Sequence, residues 1–212
     1  SIILIPVAFF FIIQGSLTFI FFLSLIFLGT SLEWFKMTKN RDLLRVFGLF
    51  FLFFSFFCTI YLRQYLGLNF FLFLIIVCIF TDIGGYIFGK IFKGPKLTKV
   101  SPKKTYSGVI GSFLISLLSG LIFIKYFGQK SKILLEIDFI FIILLILFIS
   151  LVSQIGDLII SYFKRKAKLK DSGKILPGHG GILDRIDGII FVMPITYLCV
   201  LPILIYNLDF IK

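Results

Sequence analysis

The feature that most constrains this chain is a series of long, nearly uncharged apolar runs. A helix needs roughly 20 apolar residues to cross the hydrocarbon core of a bilayer, with a range of about 17–25. Seven stretches approach this length, the first of them short: Ile2–Ile13, Leu17–Leu32, Val46–Leu62, Leu66–Gly85, Gly108–Phe127, Phe139–Phe163 and Ile189–Tyr206. Only 15% of the 212 residues are charged, against about 25% in soluble domains. We therefore predict an all-α, polytopic integral membrane protein and exclude a soluble enzyme or a disordered regulator.

The runs indicate one membrane domain over residues 1–212, with about seven transmembrane helices. Its first helix is short or truncated, and the chain begins with Ser1 rather than Met. We expect that an N-terminal stretch is missing or was processed. A signal peptide is disfavoured because no basic segment precedes the first apolar run.

Basic residues are concentrated in three connecting segments. Seventeen of the 22 Lys and Arg residues lie within residues 33–45, 89–107 and 164–187. Because cytoplasmic loops carry an excess of basic residues, we place these segments in the cytosol, with the N-terminus inside and the C-terminus outside. The net charge of +12 therefore reflects topology and an anionic ligand at the membrane surface, and we predict no nucleic-acid partner.

Four carboxylates fall at the cytosolic side of the predicted bundle: Asp82, Asp157, Asp184 and Asp187. Ionisable groups at membrane depth are costly and are candidates for function. Together with the basic segments beside them, they predict a site for a polyanion and a metal ion at the cytosolic side.

The segment after Asp157 carries the most chemistry. Asp157, Ser161, Lys164 and Arg165 are spaced so that they share one face of a helix. A glycine-rich polar loop follows, and glycines let the backbone approach a ligand closely. Asp184 and Asp187 then precede the last span, where their oxygens are suitable ligands for Mg²⁺.

Residues 161–187 resemble the C-terminal pattern of the phosphatidate cytidylyltransferases, also called CDP-diacylglycerol synthases. That pattern combines Ser, Lys-Arg, Lys-Asp, Leu-Pro-x-His-Gly-Gly and Asp-Arg-x-Asp at fixed spacing. The chain matches it at Ser161, Lys164, Arg165, Lys170, Asp171, Leu176, Pro177, His179, Gly180, Gly181, Asp184, Arg185 and Asp187.

Two earlier blocks are similar to the same family. The first has Thr81-Asp82, Tyr86, Gly89-Lys90 and Gly94, and the second runs from Ser101 to Thr105 and continues with Gly108. The family often has Glu where this chain has Ser107. We therefore expect residues 81–187 to form the catalytic region, whereas residues 1–66 fit only by apolar character and the pair Glu33-Trp34.

The resemblance implies that CTP and phosphatidic acid react to give CDP-diacylglycerol and pyrophosphate, for phospholipid biosynthesis. It implies Mg²⁺ as cofactor, with a second cation left open, and a location in the bacterial inner membrane with the site facing the cytosol. A homodimer is also left open. The candidate catalytic residues are Asp157, Asp184, Asp187, Ser161, Lys164 and Arg165, with Asp157 and Asp184 as metal ligands. The candidate substrate-binding residues are Lys103, Lys104, Lys170, Asp171, His179, Arg185 and Asp82.

Other interpretations remain open at this point. The chain could be a transporter, or a CTP-dependent polyprenol kinase that transfers the γ-phosphate and releases CDP. His179 could serve only as a turn residue, and Asp82 could pair with Lys90 instead of joining the site.

Overall fold

The computed structural model describes residues 4–39, 41–98, 101–173, 175 and 180–209. Within these residues the chain forms nine α-helices and a single 3₁₀ turn at Gly128–Lys130. The helices are α1 Leu4–Gln14, α2 Ser16–Met37, α3 Asp42–Tyr65, α4 Gly67–Phe92, α5 Tyr106–Phe127, α6 Lys132–Glu136, α7 Phe139–Lys166, α8 Leu183–Ile186 and α9 Ile189–Asp209. The same residues contain no strand, and an isolated bridge pairs Lys96 with Thr105.

The helices confirm the predicted all-α membrane architecture. In the described part of the chain, five helical segments are long and apolar enough to cross a membrane, namely α2, α3, α4, α5 with the 3₁₀ turn, and α7. α9 starts with the shorter apolar stretch Ile189–Val200, and α1 has 11 residues. The number of seven spans stays a prediction.

Several helices extend beyond the apolar runs that predicted them. α4 continues past Gly85 to Phe92, and α2 continues past Leu32 to Met37. Polar side chains end an apolar run, but they do not end a helix whose backbone remains hydrogen-bonded. The segment before α9 also differs from a simple helix start, because Asp184 lies in the separate four-residue helix α8.

α4 lies at the centre of the bundle and packs most extensively against α5. Glycines allow this close approach: a Cβ atom added at Gly84 would collide with the Gly111 carbonyl oxygen and lie 2.9 Å from Ile115 Cβ. One turn along, a Cβ atom at Gly108 would lie 2.8 Å from the Gly85 carbonyl oxygen. Small residues have this role at many helix interfaces in membranes, where backbones pack closely.

The connections divide between two ends of the bundle. At one end, the α2–α3, α4–α5 and α7–α9 connections come together, because Glu33 bonds to Ser172 and Lys104 reaches Asp157. At the other end, Arg63 donates to the Ile12 carbonyl oxygen over 3.0 Å. The three basic segments of the sequence therefore meet at one end, which we call the polar end.

We expect Gly84→Ala to destabilise the bundle, because the added methyl group forces α4 and α5 apart. Overpacking of this kind costs about 1–3 kcal/mol, which for a chain of this size lowers Tm by about 2–4 °C per kcal/mol. The measurement is thermal unfolding in detergent micelles. Leu118→Ala is the control, because Leu118 is 57% exposed on α5. Equal Tm values for Gly84→Ala and the wild type would contradict this packing.

Candidate active site

The described residues of the α4–α5 connection are tied together by backbone hydrogen bonds close to Lys104. Leu97 N donates to the Lys104 carbonyl oxygen over 2.8 Å, and Tyr106 N donates to the Pro95 carbonyl oxygen over 3.1 Å. The Thr105 side chain then caps α5 by accepting from Gly108 N over 3.1 Å.

Ser107 stabilises the same connection, at the position where the family often has Glu. Its hydroxyl lies 3.0 Å from Thr105 Oγ1 and accepts a hydrogen bond from Gly94 N over 3.3 Å. The hydroxyl thus joins the two ends of the connection, which is a local structural role.

Lys104 crosses from this connection to α7 and forms the first ion pair of the site. Its Nζ lies 2.6 Å from Asp157 Oδ2, and both side chains are one-quarter exposed. The other oxygen of Asp157, Oδ1, accepts a hydrogen bond from Ser161 Oγ over 3.1 Å, one helical turn along α7. The predicted shared face of Asp157 and Ser161 is confirmed.

A cavity of about 280 Å³ opens beside this ion pair. Its walls come from α4, the α4–α5 connection, the start of α5, and α7. They consist of Asp82, Gly85, Tyr86, Ser101, Lys103, Lys104, Thr105, Gly108, Val109, Ser112, Gln154 and Asp157. Asp82 therefore faces the same cavity as Lys104, whereas the Lys90 ammonium lies 5.6 Å from the Tyr86 ring centroid.

A second ion pair joins α7 to the loop before α9. Lys164 Nζ lies 2.7 Å from Asp184 Oδ1, and each side chain is only 11% exposed. Asp184 Oδ2 accepts backbone hydrogen bonds from Ser172 N over 2.8 Å and from Gly181 N over 3.0 Å. Burial alone would raise the pKa of Asp184, but the Lys164 ammonium and the two N–H groups outweigh it and hold this pKa below its usual value. Asp184 is therefore an anion at neutral pH.

Asp187 connects the two ion pairs. It is buried, and Gly188 N donates to its Oδ1 over 2.9 Å. Burial raises the pKa of Asp187 well above its usual value, and the negative charge of Asp157 raises it further, while Lys164 opposes the rise. Asp187 therefore lies beside Asp157 and keeps its proton more readily than an ordinary carboxyl group, and a cation bound by both groups would favour release of that proton.

The donor chemistry at this point suits Mg²⁺. In the described part of the chain, no three His, Cys, Asp or Glu side chains converge to hold a metal by themselves. Mg²⁺ usually takes only one or two carboxylates and completes its shell with phosphate oxygens and water. Asp157 and Asp187 can supply the two carboxylates. Asp157 and Asp184 would each exchange a lysine partner for the ion, whereas Asp187 forms no salt bridge within the described residues.

The remaining predicted residues lie around this centre. Lys103 lines the cavity, and the exposed Arg165 donates to the Leu169 carbonyl oxygen over 3.1 Å. Three others lie on the exposed surface of the polar end, namely Lys170, Asp171 and Arg185. His179 lies outside the described residues, so its predicted role stays a prediction.

Sequence reasoning missed Glu33, Gln154 and Ser172 as residues of this region. Gln154 O accepts a 3.4 Å hydrogen bond from Lys104 Nζ, and Ser172 bonds to both Asp184 and Glu33. One signal was available for Glu33, because it is a carboxylate near the end of a predicted span. The other two are uncharged polar residues, and only the fold brings them to the site.

The chain is similar in sequence to known proteins. A model of the cytidylyltransferase family matches residues 41–202, which include all four residues of the two ion pairs. Over 137 residues, the chain is 44% identical to the phosphatidate cytidylyltransferase of Bacillus subtilis (strain 168), a match that covers 64% of this chain and 48% of the relative. Over 132 residues it is 43% identical to the phosphatidate cytidylyltransferase of Staphylococcus aureus (strain COL), covering 61% and 48% of the two chains.

The match to a third relative has a similar extent. The chain is 39% identical over 138 residues to the phosphatidate cytidylyltransferase of Staphylococcus saprophyticus, covering 65% of this chain and 51% of the relative. The chain thus spans about half the length of the curated relatives that it matches. Since the family model covers most of its residues and both ion pairs, the chain belongs to the cytidylyltransferase family.

Proposed function

We propose that this chain forms the active site of an enzyme that transfers the cytidylyl group of CTP to phosphatidic acid. The products are CDP-diacylglycerol and pyrophosphate. One observation carries the proposal: two lysine–carboxylate pairs, Lys104–Asp157 and Lys164–Asp184, lie together at the polar end of a membrane bundle of this family. The three relatives described above are phosphatidate cytidylyltransferases, which supports the choice of substrates.

Catalysis of this reaction requires neutralisation of negative charge more than it requires a general base. A phosphate oxygen of phosphatidic acid, already an anion, attacks the α-phosphorus of CTP, and the bond from that phosphorus to the pyrophosphate oxygen breaks. Two polyanions must therefore approach each other, so that catalysis depends on positioning and on fixed positive charge. Lys104 and Lys164 supply this charge when they exchange a carboxylate partner for phosphate oxygens, and Lys103 lies beside Lys104 at the cavity.

Asp157 and Asp187 are the carboxylates that best fit a Mg²⁺ ion. Asp184, which the sequence predicted as a metal ligand, lies three residues before Asp187. A Mg²⁺ ion held there would supply Lewis-acid polarisation of a phosphoryl oxygen and would offset negative charge on the pyrophosphate group. Ser161 holds Asp157 in place through its hydrogen bond. Arg165, Lys170 and Arg185 are proposed to contact phosphates from the exposed rim, and Asp171 is proposed to bind another part of the substrate.

We place the polar end in the cytosol, which for a bacterial protein means the inner face of the cell membrane. The excess of basic residues in the three segments that meet there supports this orientation. CTP would then reach the cavity from water, while the head group of phosphatidic acid would enter at the membrane interface.

The position of the transferred phosphorus distinguishes the proposed reaction from its rivals. We expect that the full chain, in detergent micelles with phosphatidic acid and Mg²⁺, moves label from α-labelled CTP into lipid. γ-Labelled CTP should give labelled pyrophosphate and unlabelled lipid. If label from the γ-phosphate enters the lipid, the enzyme is a kinase. CTP binding without a labelled product would indicate a protein that does not catalyse the transfer.

Asp157→Asn should abolish most of the activity, because it removes the charge that meets Lys104 and the proposed cation. Loss of one preorganised electrostatic group typically lowers kcat by about 10²–10³-fold. Asp138→Asn is the matched control, because Asp138 is an exposed carboxylate at the opposite end of the same helix. The measurement is the initial rate of label transfer for each variant. Equal rates for the two variants would contradict the assignment of Asp157.

A further inference from the structure

We infer that Glu33 is a positioning residue that clamps the loop between α7 and α9 and thereby holds Asp184 in place. This residue is on α2, far from the loop in sequence and outside every motif of the catalytic region. Its kinetic consequence rests on the proposed function, whereas the clamp itself does not.

The Glu33 carboxylate is fully buried and is held by hydrogen bonds from the loop. Oε2 accepts from Ser172 Oγ over 2.9 Å and from Leu183 N over 2.8 Å, and Oε1 accepts from Ile182 N over 2.9 Å. Burial of a carboxylate costs free energy unless hydrogen-bond donors compensate it. Because three donors of the loop compensate Glu33, its burial is favourable only in this loop conformation.

Two glycines of the loop make room for this carboxylate. A Cβ atom added at Gly173 would collide with Glu33 Oε1. A Cβ atom added at Gly181 would lie 2.6 Å from Glu33 Oε2 and would collide with Ser172 Oγ. Glycine at these two positions lets the loop backbone approach the Glu33 carboxylate closely.

α2 provides a fixed base for Glu33. The next residue, Trp34, donates from Nε1 to the Arg45 carbonyl oxygen over 3.2 Å, and its ring meets Phe163 of α7 edge-on at 5.2 Å. Trp34 also fills the space above Gly48 of α3, where a Cβ atom would collide with the indole. Trp34 therefore fixes the Glu33 turn of α2 against α3 and α7.

The loop distributes its donors between two carboxylates. Ser172 donates its hydroxyl to Glu33 and its N–H to Asp184. Gly181 N donates to Asp184, and the next two N–H groups, of Ile182 and Leu183, donate to Glu33. A shift of Ser172 away from Glu33 would therefore also withdraw its N–H from Asp184. A shift of residues 181–183 away from Glu33 would move Asp184 itself relative to Lys164.

Glu33 has no exposed surface, so it acts through the loop and not on substrate. Glu33→Gln keeps the size of the side chain but replaces one acceptor oxygen with an NH₂ group, which would face a hydrogen-bond donor of the loop. We expect kcat to fall at least tenfold, since Asp184 and Lys164 lose their alignment. KM for CTP should change less than threefold, because Lys103 and Lys104 belong to the other wall. Glu33→Asp should recover part of kcat, because it keeps the charge.

A readout independent of activity is trypsin cleavage in the basic stretch 166–170, followed by mass spectrometry on the full chain in micelles. Glu33→Gln should speed cleavage there about tenfold and leave cleavage within the α4–α5 connection unchanged. Ser31→Ala is the control: Ser31 is buried on the same helix, and its Oγ has no hydrogen-bond partner among the residues that the structure describes. Its kcat and cleavage rate should equal those of the wild type.

The outcomes separate the clamp from the proposed reaction. Faster cleavage in Glu33→Gln supports the clamp even when the wild type transfers no cytidylyl group, in which case only the proposed function fails. Cleavage and kcat within twofold of the wild type would overturn the inference, as would equal losses in Glu33→Gln and Ser31→Ala. If Glu33→Gln fails to fold, Ser172→Ala removes one of the three bonds and should still speed cleavage more than twofold.

Discussion

The pairing of charges within an apolar bundle is the constraint on which this structure depends. A lone ammonium or carboxylate at membrane depth is costly, so each must find a partner. Lys104 pairs with Asp157 and Lys164 pairs with Asp184, each pair linking α7 to a different connection. The pairs therefore fix both walls of the site against one helix. They also keep two cations ready for phosphate, because an incoming anion can replace the carboxylate without any ammonium losing its partner.

The two carboxylates near the loop have different surroundings, and this suggests different tasks. Asp184 receives an ammonium and two backbone N–H groups, which lower its pKa and keep it an anion. Asp187 is buried beside Asp157, which raises its pKa and leaves it short of positive charge. A divalent cation would satisfy the second environment more than the first. Glu33 completes the arrangement from α2, by holding the loop that carries the donors of Asp184.

Much of this organisation could be predicted from the sequence. Long apolar runs predicted the helical membrane architecture, and the basic segments predicted which connections meet at one end. Helical spacing predicted the contact of Asp157 with Ser161. It did not predict that Lys164 would pair with Asp184, because that pairing depends on a glycine-rich loop whose path has no periodicity. Glu33 was missed as a site residue because its partners are mostly backbone N–H groups, which no side-chain motif encodes.

The central claim is that these ion pairs are catalytic machinery and not only a way to bury charge. The most direct measurement compares Lys164→Gln, Asp184→Asn and the double variant in the rate of cytidylyl transfer, with Tm measured for each. We expect each single variant to lose about 10²-fold or more in rate, and we expect the double variant to stay inactive even where it regains Tm. A double variant that regains activity to within tenfold of the wild type would contradict the account, because neutral partners would then suffice.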